Sequence, residues 1–349
     1  MSNIQENNKV LNLYPIDYPF ETLVDRVEKG KLILNPHFQR QYKWDKDGDE
    51  RPSKFIESCL MRIPIPSCYF AEMENSNHLV IDGVQRITTI QKFFNDKFAL
   101  KGLTTFTELE GKRFSELGEY RNELESYTIR CIVLRKDNDK QVITEVFARL
   151  NQGSVLLTPQ EIRHAIFGNG AFDKLLKELA QHERIKHFKL GKKGRQLKDG
   201  LESEEQVLRF FAMKGNLTDY NGNFSQYMDK YMEQQQNINE QQVNTLRDLF
   251  QETMNKCLLV FGKNAFMNPG KNKPKESFVN YDLLMWSFQH YSKEFLETHQ
   301  ELIKKKFEEL CNLPEFTRLA SGGGLQRKQS ILKRRSLWEA KLREIDDKL

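Results

Sequence analysis

Strand periodicity stops part-way along this chain, and that change restricts its fold more than any other feature. Tyr127–Leu134 alternates in steps of two, with Thr128 and Arg130 set against Ile129 and Cys131. Beyond residue 150 the apolar residues recur at helical spacing instead. The first part mixes both periods. Leu23, Val24 and Val27 predict a helix over Phe20–Lys29, closed by Gly30, and Lys31–Leu34 reads as a strand. Ser53 is the expected cap of a helix that turns Phe55, Ile56 and Leu60 inward and ends before Pro64. Cys68–Ala71 and His78–Ile81 read as a hairpin across Asn75-Ser76-Asn77. Helices follow over Gln85–Phe94 and Lys140–Leu150. Thr158-Pro159-Gln160-Glu161 then has the form of a capping box with proline at the first helical position. Helical patterns continue after Gly170, over Val207–Met213, Val243–Phe261, Tyr281–Tyr291 and Phe295–Leu310. Ile331, Trp338, Leu342, Ile345 and Leu349 make one stripe of a C-terminal helix. The expected fold class is α+β: an α/β domain over residues 1–152 and a helical domain over 153–349, with the change at 151–157. A length of 349 residues agrees with two units at roughly 100–200 residues each.

Composition narrows the setting. No apolar run approaches the roughly 18–20 residues of a membrane span, so no membrane association is expected. Met1–Val10 is polar and lacks the apolar segment of a secretory signal. The five cysteines are scattered and form no CxxC pair, which argues against a disulfide framework and a cysteine-built zinc site and for a reducing cytoplasm. The net charge is only +5, but it is unevenly placed. Residues 181–200 and 326–343 each carry seven Lys or Arg, against two acids and one acid respectively. Each block is either a phosphate-contacting surface or a solvated face.

No GxxxxGK[ST] loop, GxGxxG turn or GxSxG elbow occurs. His182 and His187 are five apart, about 140° on a helix, so they do not form a helical zinc pair. Glu110-Gly111-Lys112 is too short to identify a metal nuclease. The informative block is His78–Ile90, HLVIDGVQRITTI, where an apolar strand meets a glycine turn and a helix begins at once. Gly83 allows a sharp turn and a close backbone approach. The amides of Val84, Gln85 and Arg86 would face outward as an anion site, with Arg86 adding a bidentate phosphate contact. Asp82 at the strand end suits a ribose hydroxyl, a magnesium ion or a water, and Gln85 a water or an oxygen. The alternative is an ordinary strand-turn-helix with Asp82 as N-cap and Arg86 on the surface. A second block, Leu34–Asp45, interleaves Phe38, Tyr42 and Trp44 with Gln39, Arg40 and Lys43. It suits base stacking beside phosphate contacts, or a half-buried edge strand. In a third, Phe147–Gly153, Arg149 and Asn151 either line a polar cleft or end a helix.

Taken together, FQRQYKW, the helix followed by Ile63-Pro64-Ile65-Pro66, VIDGVQRITT, FARLNQG and LTPQEIRHAIF closely resemble one family. It is the domain at the N-terminus of GmrSD-type modification-dependent restriction enzymes and of the SspE phage-defence protein, whose hallmark is a DGQQR motif. The resemblance is strongest over residues 14–180. It implies a ParB/sulfiredoxin-like nucleotide-binding fold and a nucleoside triphosphate (ATP, GTP or CTP) with magnesium as cofactors. It also implies hydrolysis tied to sensing modified or invading DNA, with a nuclease doing the cutting. By motif match Asp82, Gln85 and Arg86 are the candidate catalytic residues, and Asp82 is the candidate metal ligand. Gln39, Arg40, Trp44, Asp82, Gly83, Val84, Gln85, Arg86, Thr88, Arg149 and Asn151 are the candidate nucleotide-binding set.

This sequence departs from the family pattern in two places. Val84 stands where the family usually has glutamine, which favours weak hydrolysis if that glutamine positions the attacking water. No HNH-type nuclease constellation follows the helical part, so cutting is expected from a separate nuclease or defence-system subunit. The main expectation is therefore an NTP-hydrolysing sensor of a restriction or phage-defence system. The alternative is a non-hydrolysing module that binds nucleotide or modified DNA and recruits a nuclease. A DNA endonuclease in its own right ranks below both. Homo-oligomerisation is left open.

Overall fold

A computed structural model describes residues 11–34, 42, 44, 48–73, 75–150, 158–168, 170–186, 188, 201–269, 276–321 and 323–346. The chain divides into two compact units, Met1–Leu157 and Thr158–Leu349. The first is built on a five-stranded mixed sheet and the second is helical, so the α+β reading with a helical C-terminal part holds.

Unit 1 contains β1 (Leu13–Pro19), α1 (Phe20–Glu28), β2 (Leu32–Ile33), α2 (Glu50–Leu60), β3 (Cys68–Glu72), β4 (His78–Asp82), α3 (Val84–Phe94), α4 (Tyr120–Ser126), β5 (Thr128–Leu134) and α5 (Lys140–Leu150). The strand order is β1-β5-β3-β4-β2. The expected hairpin is present as the antiparallel pair β3–β4. β5 lies between β1, which it meets antiparallel, and β3, which it meets parallel with Cys68 opposite Cys131. The helices bury Phe20 and Leu23 of α1, Ile56 and Cys59 of α2, and Ile87, Ile90 and Phe93 of α3. These pack with Phe70, Val80, Ile129 and Val133 of the strands in one core.

The fold adds one strand and corrects one expectation here. β1 was not anticipated, although Tyr14, Ile16 and Tyr18 alternate; Pro15 and Pro19 mask the signal and suit only an edge strand. Ser53 does not cap α2, which starts three residues earlier because Pro52 fits within a first helical turn. Ser53 is buried instead: its hydroxyl donates to the Asp49 carbonyl at 2.6 Å and accepts from the Lys101 amide at 2.9 Å. Glu110 of the short ExK triplet is structural too, accepting from the Gly102 and Leu103 amides at 2.9 Å each.

Unit 2 contains α6 (Pro159–Phe167), α7 (Ala171–Leu179), α8 (Glu183–Lys186), α9 (Glu202–Met213), α10 (Phe224–Gln234), α11 (Glu240–Phe261), α12 (Phe278–Phe288), α13 (Lys293–Thr298), α14 (Gln300–Asn312), α15 (Pro314–Ser321) and α16 (Lys328–Asp346). The expected capping box opens α6: Thr158 Oγ1 accepts from the Glu161 amide at 3.2 Å, and Glu161 accepts from the Thr158 amide at 2.7 Å. The single helix expected over Phe295–Leu310 is two, α13 and α14, meeting at His299. Leu175 and Leu176 of α7, Val207 and Phe211 of α9, Phe250 of α11, Leu284 of α12 and Trp338 of α16 share one core. Two arginines of this unit are paired, as burial demands. Arg209 binds Asp282 through two 2.6 Å bonds, and the wholly buried Arg163 reaches Asp229 at 2.6 Å and Glu205 at 2.9 Å. No helix among the described residues is long and apolar enough to cross a membrane.

Candidate functional site

β4 delivers Asp82 to its end, opposite Tyr69 of β3, and α3 starts two residues later. Gly83 between them is left-handed at φ 103°. A Cβ there would run into the Cys68 sulfur of the neighbouring strand. Only glycine satisfies both the dihedral and the space. Asp82 therefore does not cap α3; Gly83 occupies the cap position and no side chain caps the helix. The first turn also lacks an acidic residue and carries Arg86 instead. A cation at that end opposes the helix dipole. Asp82 compensates it with an ion pair of 2.6 Å between Arg86 Nη2 and Asp82 Oδ2.

Arg86 is not on the surface: its side chain is 12% exposed, against 36% for Asp82. Beyond Asp82 it donates to the carbonyls of Pro66 and Ser67, tying α3 to the segment that leads into β3. The arginine holds the turn together, while the Asp82 carboxylate keeps a solvent-facing side. Thr88, one turn further along, is buried and its hydroxyl has no hydrogen-bond partner. Val84 packs against the core of unit 1.

Thr89 was not expected in the site but organises its surroundings. Its hydroxyl donates to the Gln85 carbonyl at 2.8 Å, so the 2.7 Å contact with Tyr42 has the phenol as donor. Tyr42 is buried, with Lys92 Nζ 4.1 Å from its ring centre. Of the aromatic block, then, Tyr42 is an anchor and not a stacking surface. Trp44 is half-buried, edge-on to Phe55 with ring centres 5.4 Å apart and with the Arg51 guanidinium 5.1 Å over it. Phe38, Gln39, Arg40 and Asn151 lie outside the described residues. Arg149 is exposed on α5 and pairs with Glu145; α5 itself packs along β4.

Below the turn lie Cys68 and Cys131, both buried and facing each other across β3 and β5. Their hydrogen bond and burial push the Cys131 thiol well up. All five cysteines are free thiols.

Residues 20–168 match the family model described as GmrSD restriction endonuclease, N-terminal domain. The chain carries a GmrSD-type N-terminal domain. That places the segment in a restriction-system family. The matched segment of the GmrSD family starts with α1, contains the whole Asp82–Arg86 turn, and runs on through α6 to Gly168. No curated protein and no solved structure matches the chain.

The two basic stretches fare differently from their expectation. Most of 181–200 lies outside the described residues. In 326–343, Arg334 and Arg335 are buried and donate to backbone carbonyls, Arg334 to Leu319 and Leu325 and Arg335 to Met213 and Gly215. Lys341 pairs with Glu309 and Glu344, Lys333 with Glu315, and Lys328 donates to the Thr218 carbonyl. Arg334 and Arg335 are thus internal, whereas Lys333 stays exposed.

Proposed function

We propose that the GmrSD-type domain is a nucleoside-triphosphate switch of a DNA-restriction or phage-defence system, hydrolysing ATP, GTP or CTP and acting with a separate nuclease. The observation that carries this reading is the uncapped, acid-free N-terminus of α3 behind the left-handed Gly83. Backbone amides at such a helix start attract phosphate oxygens, and the dipole favours the charge. Gly83 lets the chain turn from β4 into α3 while packed against the Cys68 sulfur. Gln85 is the polar side chain of the first turn and would orient a water or a terminal phosphate oxygen. Asp82, half-exposed beside this end, suits a magnesium ion that takes most of its ligands from phosphate and water. Such an ion would neutralise charge on the phosphates. The unpartnered Thr88 hydroxyl is a second polar group that a bound ligand or its water could satisfy. Arg86 acts indirectly, by fixing Asp82 and the turn. The reading includes a ParB/sulfiredoxin-like likeness of the sheet and contact with DNA.

A non-hydrolysing nucleotide- or DNA-binding module is the second reading. Val84 supports it, because an apolar side chain packed on the core presents nothing to a water. Phosphate release from ATP, GTP and CTP with magnesium, with and without DNA, separates the two. We expect turnover in the wild type and a loss of roughly 100-fold or more in Asp82→Asn and Gln85→Ala. Undiminished turnover in both variants would remove the site assignment. Tight nucleotide binding without release would select the second reading, with Val84→Gln expected to restore hydrolysis.

A further inference from the structure

We propose that His164, Asp173 and Glu204 form a site for a divalent transition-metal cation of the zinc type, stapling α6, α7 and α9 of the helical unit. The three residues come from three helices, His164 and Asp173 from the consecutive α6 and α7 and Glu204 from α9. One ligand atom of each, the imidazole nitrogen and two carboxylate oxygens, lies within 4.8 Å of the others. His164 Nδ1 is 2.8 Å from Asp173 Oδ1. Ligands about 2.1 Å from a tetrahedral ion are about 3.4 Å apart, so small side-chain shifts complete the set.

Burial supplies the second, independent observation. Asp173 is 1% exposed and Glu204 8%. Glu204 presents a carboxylate oxygen to this cluster, and its Oε2 has no hydrogen-bond partner. A buried carboxylate oxygen without a donor is costly, and structures rarely leave one so. Asp173 brings a second carboxylate to the same buried cluster. A dication removes that conflict between two carboxylates. Lys177 approaches Asp173 Oδ2 at 3.0 Å, but its side chain is 39% exposed and has water to move into. One imidazole with two carboxylates suits zinc, whereas calcium and magnesium prefer oxygen ligands throughout. A water would complete the tetrahedron. Nothing here depends on the nucleotide reading, since the site lies wholly in unit 2.

The test uses the full chain, stripped with chelator, exposed to zinc chloride and desalted. Elemental analysis should find about one retained zinc per chain. Melting temperature should rise by roughly 5–10 °C at a hundredfold excess over the dissociation constant. Retention should be lost in both His164→Ala and Glu204→Gln. Should these variants misfold, cobalt in the wild type keeps the question open to an answer: visible d–d absorption without a sulfur charge-transfer band supports the site. No retained zinc together with a cobalt spectrum no different from the free ion would overturn the proposal, as would retention unchanged in folded His164→Ala.

Discussion

At the scale of single residues, Gly83 is the position where the backbone and its neighbour leave no alternative. Alanine there must adopt a left-handed φ and press into the Cys68 sulfur. We expect Gly83→Ala to cost about 2–4 kcal/mol in urea unfolding, part from the dihedral and part from the overlap. Adding Cys68→Ala should return only the overlap part; full recovery would mean the dihedral costs nothing. Arg86 shows why a motif residue can be read correctly as important and wrongly as to its work. Its place in DGVQR was visible, but its carbonyl partners at Pro66 and Ser67 come from a loop twenty residues away in sequence. No local pattern announces such partners. Thr89 was missed for the same reason: its contact with Tyr42 spans 47 residues.

Among the elements, α2 illustrates how a helix face does more than bury apolar atoms. Glu57, buried on α2, accepts from the amides of Thr104, Thr105 and Phe106 and so fixes the loop after α3. Burial alone would raise its pKa, but the three amides and the Thr104 hydroxyl outweigh it, and the carboxyl titrates below its ordinary value. A carboxylate depressed in the folded state stabilises above the ordinary carboxylate range, and that contribution is lost as pH falls through the folded value. Glu57→Ala should therefore destabilise by about 2–4 kcal/mol at neutral pH, because three amides lose their acceptor. The difference between variant and wild type should shrink below pH 4. A gap that stayed constant into acid would contradict the charge argument. α16 makes a similar point. Its cations read as a surface in sequence, yet Arg334 and Arg335 are internal fastenings.

For the whole molecule, the two units bury separate cores. Trp338 sits at the centre of the second, fully buried, with its indole N–H donating to Ser287 Oγ at 2.9 Å and its ring edge-on to Phe307. Trp338→Ala should cost about 3–5 kcal/mol. Because Trp338 and Glu57 share no partners, the two losses should add within about 0.5 kcal/mol in a double variant. A larger coupling energy would show that the cores are not separate folding problems.

The sequence by itself determined the change from mixed to helical structure, the β3–β4 hairpin, the capping box at Thr158 and the Asp82–Arg86 turn. Each is written in residues a few positions apart, where period, cap chemistry and glycine freedom act locally. Tertiary structure alone decided that Pro-bearing β1 completes the sheet, that Arg86 is tied to the Pro66 and Ser67 carbonyls, and that His164, Asp173 and Glu204 meet. Those outcomes depend on which distant backbone donors, acceptors and charges are brought together when the cores close. Burial then makes leaving them unpaired expensive, and no short-range pattern records where the partner will come from.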